Sequence, residues 1–105
     1  MSENSPPDDS PTLAARARVP QHVVYRSFAT ETVALNLKTG KYHGLNPTAG
    51  HMLEVLERSE TIGAAANALA DEYGHPLAEM ERDIAALCAR LAARDLIELD
   101  SGAGN

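Results

Sequence analysis

The sequence predicts a small α+β domain of winged-helix-like type, in which a three-stranded antiparallel sheet is followed by three helices. Two observations carry this. Between His22 and Leu45 the apolar residues alternate, or run in β-branched and aromatic stretches broken by short turns. From Asn46 onward they recur at helical spacing instead, and that period holds almost to the end of the chain.

The strands come first. His22-Val23-Val24-Tyr25-Arg26-Ser27-Phe28 is rich in β-formers, and Ala29-Thr30-Glu31 offers a turn. Thr32 to Leu37 alternates, with Val33, Leu35 and Leu37 on one face and Thr32, Ala34 and Asn36 on the other. Lys38-Thr39-Gly40 is a tight reversal in which Gly40 supplies a positive φ. Lys41-Tyr42-His43-Gly44-Leu45 returns as the hairpin partner. Its register stays open, because two-residue and three-residue loops send Tyr42 to opposite faces.

Asn46-Pro47 then opens the first helix, with Asn as N-cap and Pro at the first helical position, where its missing N–H costs nothing. Ala49, Met52, Leu53 and Leu56 form its apolar stripe as far as about Arg58. Thr61 caps a second helix carrying Ile62, Ala65, Ala66, Leu69 and Tyr73, which Gly74 ends. His75-Pro76 opens a third, reaching about Arg94, and Leu96-Ile97-Glu98-Leu99 is a short strand or extended tail. On the third helix Leu77, Met80, Ile84, Leu87, Cys88 and Leu91 share one apolar arc. Glu79, Asp83, Arg90 and Arg94 make a charged flank, acids toward the N-terminus and bases toward the C-terminus as the helix dipole favours. The remaining surface is largely alanine. That suits either a solvated face, since Ala is the best helix former, or close approach by another backbone.

The chain has 105 residues, enough for one domain. Residues 1–18 and 100–105 are poor in large aliphatics and are expected to be disordered tails, leaving 19–99 as the folded unit. A domain that small buries only about 60–65% of its unfolded surface, which favours a binding module over an enzyme with a deep cavity. Nine Lys and Arg against 15 Asp and Glu give a net charge of −6, which disfavours sequence-independent nucleic-acid binding. Lysines and arginines outnumber acids between Val19 and Leu53, whereas acids dominate from Glu54 to Asp83. One cysteine excludes an internal disulfide framework, and no apolar run is long enough for a membrane span. A secretory signal is not evident, so a soluble, cytoplasmic protein is expected.

Candidates for chemistry are few. His22, His43, His51 and His75 form no pair at ligand spacing, so no metal is expected. Cys88 lies on the apolar arc, where a small buried hydrophobe belongs, not a nucleophile. Glu79 and Asp83 sit one turn apart with no cleft implied around them, and no glycine pattern suggests nucleotide binding. No cofactor or catalytic residue is expected. Two short helices followed by a longer one would also suit a winged-helix DNA-binding regulator. A recognition helix opening with Glu79, Glu81 and Asp83 would, however, meet DNA unfavourably.

The run Glu31 to Ala49, above all Thr39-Gly40-Lys41-Tyr42-His43-Gly44-Leu45-Asn46-Pro47-Thr48-Ala49, resembles the PqqD-like peptide chaperones, also called RiPP precursor peptide recognition elements. The closing Ile84 to Leu99 segment does so too, and the similarity covers about residues 19–99. Within that family the chain is most similar to the small stand-alone proteins of lasso peptide clusters. Met52 departs from the pattern, since relatives often carry a bulky aromatic there.

The resemblance implies a non-catalytic domain that binds the leader of a ribosomally made precursor peptide. The leader would add as a further strand beside Lys41, Tyr42, His43, Gly44 and Leu45, and lie against Met80, Asp83, Leu87 and Arg90 of the third helix. Arg90 and Asp83 would anchor polar groups, while Leu87 and Met80 would line an apolar pocket. The implied partners are a leader-removing cysteine protease and a macrolactam cyclase; in other clusters such domains serve a radical-SAM enzyme. An edge strand with no proline or cluster of charges suits this role, because an edge meant to be paired need not be protected.

Overall fold

The computed structural model describes residues 12–100. The elements run β1 (Arg16–Arg18), β2 (Val23–Ser27), β3 (Thr32–Asn36), β4 (Lys41–Leu45), α1 (Pro47–Arg58), α2 (Ile62–Tyr73), α3 (Leu77–Ala93) and β5 (Glu98–Asp100). β2, β3 and β4 form an antiparallel sheet in that order, and β1 pairs with β5 as a separate antiparallel ribbon. The expected architecture of three strands followed by three helices is therefore present; β5 overlaps the short strand or tail expected over Leu96–Leu99, and β1 is the added partner that makes it a clasp.

The helix boundaries follow from their caps. Asn46 Oδ1 accepts from Ala49 N–H at 2.7 Å and Thr61 Oγ1 from Ala64 N–H at 3.0 Å, each satisfying a donor that the first turn cannot. Gly74 ends α2 in the left-handed region at φ 67°, as a glycine there can without steric cost. α3 ends with Asp95 at φ 58°, after which Leu96 N–H donates back to Leu91 C=O at 2.9 Å. Met80, Ile84, Leu87, Cys88 and Leu91 are buried as the helical period required, whereas Leu77 at the first turn is exposed.

One departure concerns the ends of the domain. Arg16–Arg18 lies inside the expected N-terminal tail and Asp100 inside the C-terminal one, yet they pair, Arg16 opposite Asp100 and Arg18 opposite Glu98. The reason is small side chains and backbone bonding, to which a search for large aliphatics is blind. Ala15 and Ala17 are buried, and the carbonyls of Leu13 and Ala15 accept from the first-turn N–H groups of Gly63 and Ile62, both at 2.8 Å. Arg18 reaches Glu98 at 2.6 Å and Asp100 at 3.2 Å across the ribbon. Residues 1–11 and 101–105 lie outside the described residues.

The register of the sheet settles the hairpin. Asn36 pairs with Lys41, so the loop has four residues, closed by Gly40 N–H donating to Asn36 C=O at 2.7 Å. Tyr42 then stands opposite Leu35, which in turn pairs with Val24, on the face of the sheet away from the helices. The core face carries Thr32, Ala34 and Asn36, all buried. Small residues are needed there because α1 packs close: a Cβ on Gly50 would overlap Thr32 Oγ1 and Cβ. Gly50→Ala is expected to cost about 1–3 kcal/mol, an overpacking penalty. Thr32→Ala, which removes the nearest atom, should recover part of it in a double-mutant cycle read by urea denaturation.

Candidate functional site

The feature best shaped for binding is a groove between the open edge of β4 and α3. β4 has a strand neighbour on one side only. On the other side, α1 begins immediately after β4, and its first two turns form the floor of a trough whose far wall is α3.

Three adjoining cavities follow this trough. The first, about 160 Å³, lies among Gly44, Leu45, Asn46 and Ala49 on one side and Leu87, Arg90, Leu91 and Arg94 on the other. The second, about 230 Å³, continues along Thr48, Ala49 and Met52 against Asp83, Ala86, Leu87 and Arg90. A third, about 220 Å³, ends the trough between Thr48, Met52, Met80, Asp83, Tyr73 and His75. Shared lining residues make the three continuous. The second and third are mostly apolar, over the almost fully buried Met52, Met80 and Leu87, whereas the first is mostly polar; the rim carries exposed Asp83, Ala86, Arg90 and Arg94. Such an apolar stretch with polar groups beside it suits an extended peptide.

The expected residues are distributed unevenly over this site. Gly44, Leu45, Met80, Asp83, Leu87 and Arg90 all line it. Lys41, Tyr42 and His43 belong to the edge strand but line none of the three cavities, so only their backbone is placed to contribute. Tyr42 is 71% exposed on the opposite face. Leu87 is 3% exposed, so Leu87→Asp would bury a carboxylate in the core and unfold the domain before it reported on binding. Ala49, Met52, Ala86 and Arg94 were not expected in the site. Arg94 continues the Asp83–Arg90 flank by one further turn, a signal available in the sequence; the α1 residues depend on tertiary closure.

Burial shifts two of the described side chains near α3 and the trough. Burial pushes the Cys88 thiol up to about 12, far from a reactive thiolate at neutral pH. Burial, and the nearby Glu72 charge, raise the Tyr73 phenol as well, keeping it a neutral donor at the end of the trough. His51 is held by Glu72 at 2.9 Å outside the trough, and His22 by Asp95 at 2.9 Å near the end of α3. No group of three or more metal-ligating side chains is gathered among the described residues, and no described helix is long and apolar enough to cross a membrane.

A second surface also stands out. Val24, Phe28, Leu37 and Tyr42 are exposed on the outer face of the sheet, with Val33 and Leu35 half-buried between them. These apolar side chains share the face with exposed Arg26, and among the described elements no helix covers it.

Comparison with known proteins gives one family and two solved structures. Residues 31–97 match the family model described as coenzyme PQQ synthesis protein D (PqqD). Among curated proteins nothing matches. A structure of TbiB1 in complex with the TbiA(beta) leader peptide is similar, with 28% identity and a TM-score of 0.70, over 77% of this chain and 94% of that one. A lasso peptide synthetase B1 complexed with the leader peptide is similar to the same degree. It shows 26% identity and a TM-score of 0.70, over 79% of this chain and 98% of the other.

Proposed function

The chain belongs to the PqqD family, and from that membership we propose that it is a non-catalytic leader-peptide-binding protein, a RiPP recognition element of the lasso peptide type. The observation that carries this is the open β4 edge beside a continuous trough, polar next to β4 and apolar beyond, on a domain similar to two leader-peptide-bound proteins. The leader adds as a strand to Lys41–Leu45, whose backbone supplies hydrogen bonds. Side chains on the helix-facing side enter the trough over Met52, Met80 and Leu87, with Asp83 and Arg90 as polar anchors. The bound precursor is then carried, in the cytoplasm, to a leader-removing cysteine protease and onward to a macrolactam cyclase. Tethering raises the effective concentration of the core peptide at those enzymes.

Fluorescence anisotropy tests this reading. Labelled leader peptides, the TbiA(beta) leader and that of any short precursor encoded beside this chain, are titrated with the protein, a labelled DNA duplex serving in parallel. Saturable leader binding at micromolar or tighter affinity, weakened by salt far less than duplex binding would be, is expected. Salt-dependent duplex binding with no leader signal would instead make the winged-helix regulator the better reading.

A further inference from the structure

The trough carries a charge pattern that peptide binding alone does not require. Asp83, Arg90 and Arg94 stand on one flank of α3, are exposed, and have no ion-pair partner among the described residues. They are also ordered along the trough. Arg94 lines only the part beside Gly44 and Leu45, and Asp83 only the parts beside Thr48 and Met52. Arg90 lies between and lines both.

We propose that this stripe selects the bound peptide by charge: an acidic residue over Arg90 and Arg94, and a lysine or arginine over Asp83, about four positions apart in the peptide. The inference rests on the peptide-binding reading above and adds the chemistry of the peptide it takes. The spacing comes from helix and strand geometry. At about 1.5 Å per residue, the point midway between Arg90 and Arg94 is about 13.5 Å along α3 from Asp83. An extended peptide covers that distance in about four residues at 3.3–3.4 Å each. Four is even, so both charged side chains fall on the same face of the strand, the one turned to α3. A peptide with the two charges exchanged would set like charges against each other at both ends of the trough. The stripe therefore rejects as well as attracts.

The test is selection from a displayed library of random 12-residue peptides on the intact, immobilised protein. Enriched sequences should share an acid and a Lys or Arg four positions apart. A synthetic peptide of that pattern should bind at least about tenfold tighter than the same peptide with its two charges exchanged. The triple variant D83K/R90E/R94E, altered only at exposed positions, should invert that preference. Enriched peptides lacking the charge pair, or selection unchanged by the triple variant, would overturn the charge filter and leave peptide binding standing. Should the triple variant not fold, equal affinity of the two synthetic peptides for the wild-type protein overturns it just as well. No enrichment at all by folded wild-type protein would remove the peptide-binding reading, and this inference with it.

Discussion

Ala86→Trp is expected to weaken leader-peptide binding by at least about tenfold while the domain stays folded, because an indole fills a shallow apolar trough more completely than any charge change can. Ala86 is exposed on α3 and lines the middle cavity. Its replacement touches no core contact, so stability should change by no more than about 0.5–1 kcal/mol, the usual range for exposed helix positions. Isothermal titration beside a thermal melt separates the two effects. Unchanged affinity with a folded variant would mean that the peptide does not run between β4 and α3. The same experiment at Leu87 could not decide this, since its side chain holds the core together.

The second large effect is on stability. Asn36→Ala is expected to cost about 2–3 kcal/mol, a large share of the roughly 5–10 kcal/mol that holds a domain of this size folded. Asn36 is 1% exposed and makes contacts in two directions. Its Oδ1 accepts from the N–H groups of Lys38 and Thr39 at 2.9 and 3.3 Å, shaping the hairpin loop. Its Nδ2 donates to the carbonyl of Asp95 at 3.2 Å, tying the sheet to the end of α3. Alanine leaves these backbone groups without their partner and opens a small void. Chemical denaturation should show a lower midpoint with an unchanged slope. A loss under about 0.5 kcal/mol would show that the loop and the α3 end are held by other contacts.

Asn36 also marks where the sequence was legible and where it was not. The alternation over Thr32–Leu37 divides that strand into two faces, but it does not say which is inside. The buried face turns out to be the smaller and more polar one. Gly50 brings α1 against Thr32 too closely for leucine, the Thr32 hydroxyl shares a hydrogen bond with Ser27, and the Asn36 amide is satisfied both by its own hairpin loop and by the carbonyl of Asp95, 59 residues on. By contrast, the helix starts at Asn46 and Thr61 and the stop at Gly74 were readable, because each is a local bargain between one side chain or one φ angle and the adjacent turn. The site divides in the same way. Helical period gives the apolar arc and the charged flank of α3, but Met80, Asp83, Leu87 and Arg90 are named as a binding face only through the resemblance to PqqD-like proteins. Ala49 and Met52 are not, since they enter the trough only when α1 folds back between β4 and α3. Of the ribbon, β5 overlaps the short strand or extended tail read over Leu96–Leu99, whereas β1 was hidden for another reason: it is held by two buried alanines and by backbone bonds, which leave almost no trace in composition.

That ribbon has an architectural consequence. With Arg16 opposite Asp100, the first and last strands of the domain run side by side about 5 Å apart, and only the short stretch with Leu13 and Ala15, bonded to the start of α2, comes before them. Such a unit behaves as a cassette. Spliced into an exposed loop of a larger protein, it would need only short linkers beyond Leu13 and Asp100, because both ends lie on the same side of the fold. The trough lies at the β4 edge, a separate part of the fold, so the splice would leave it open to a peptide.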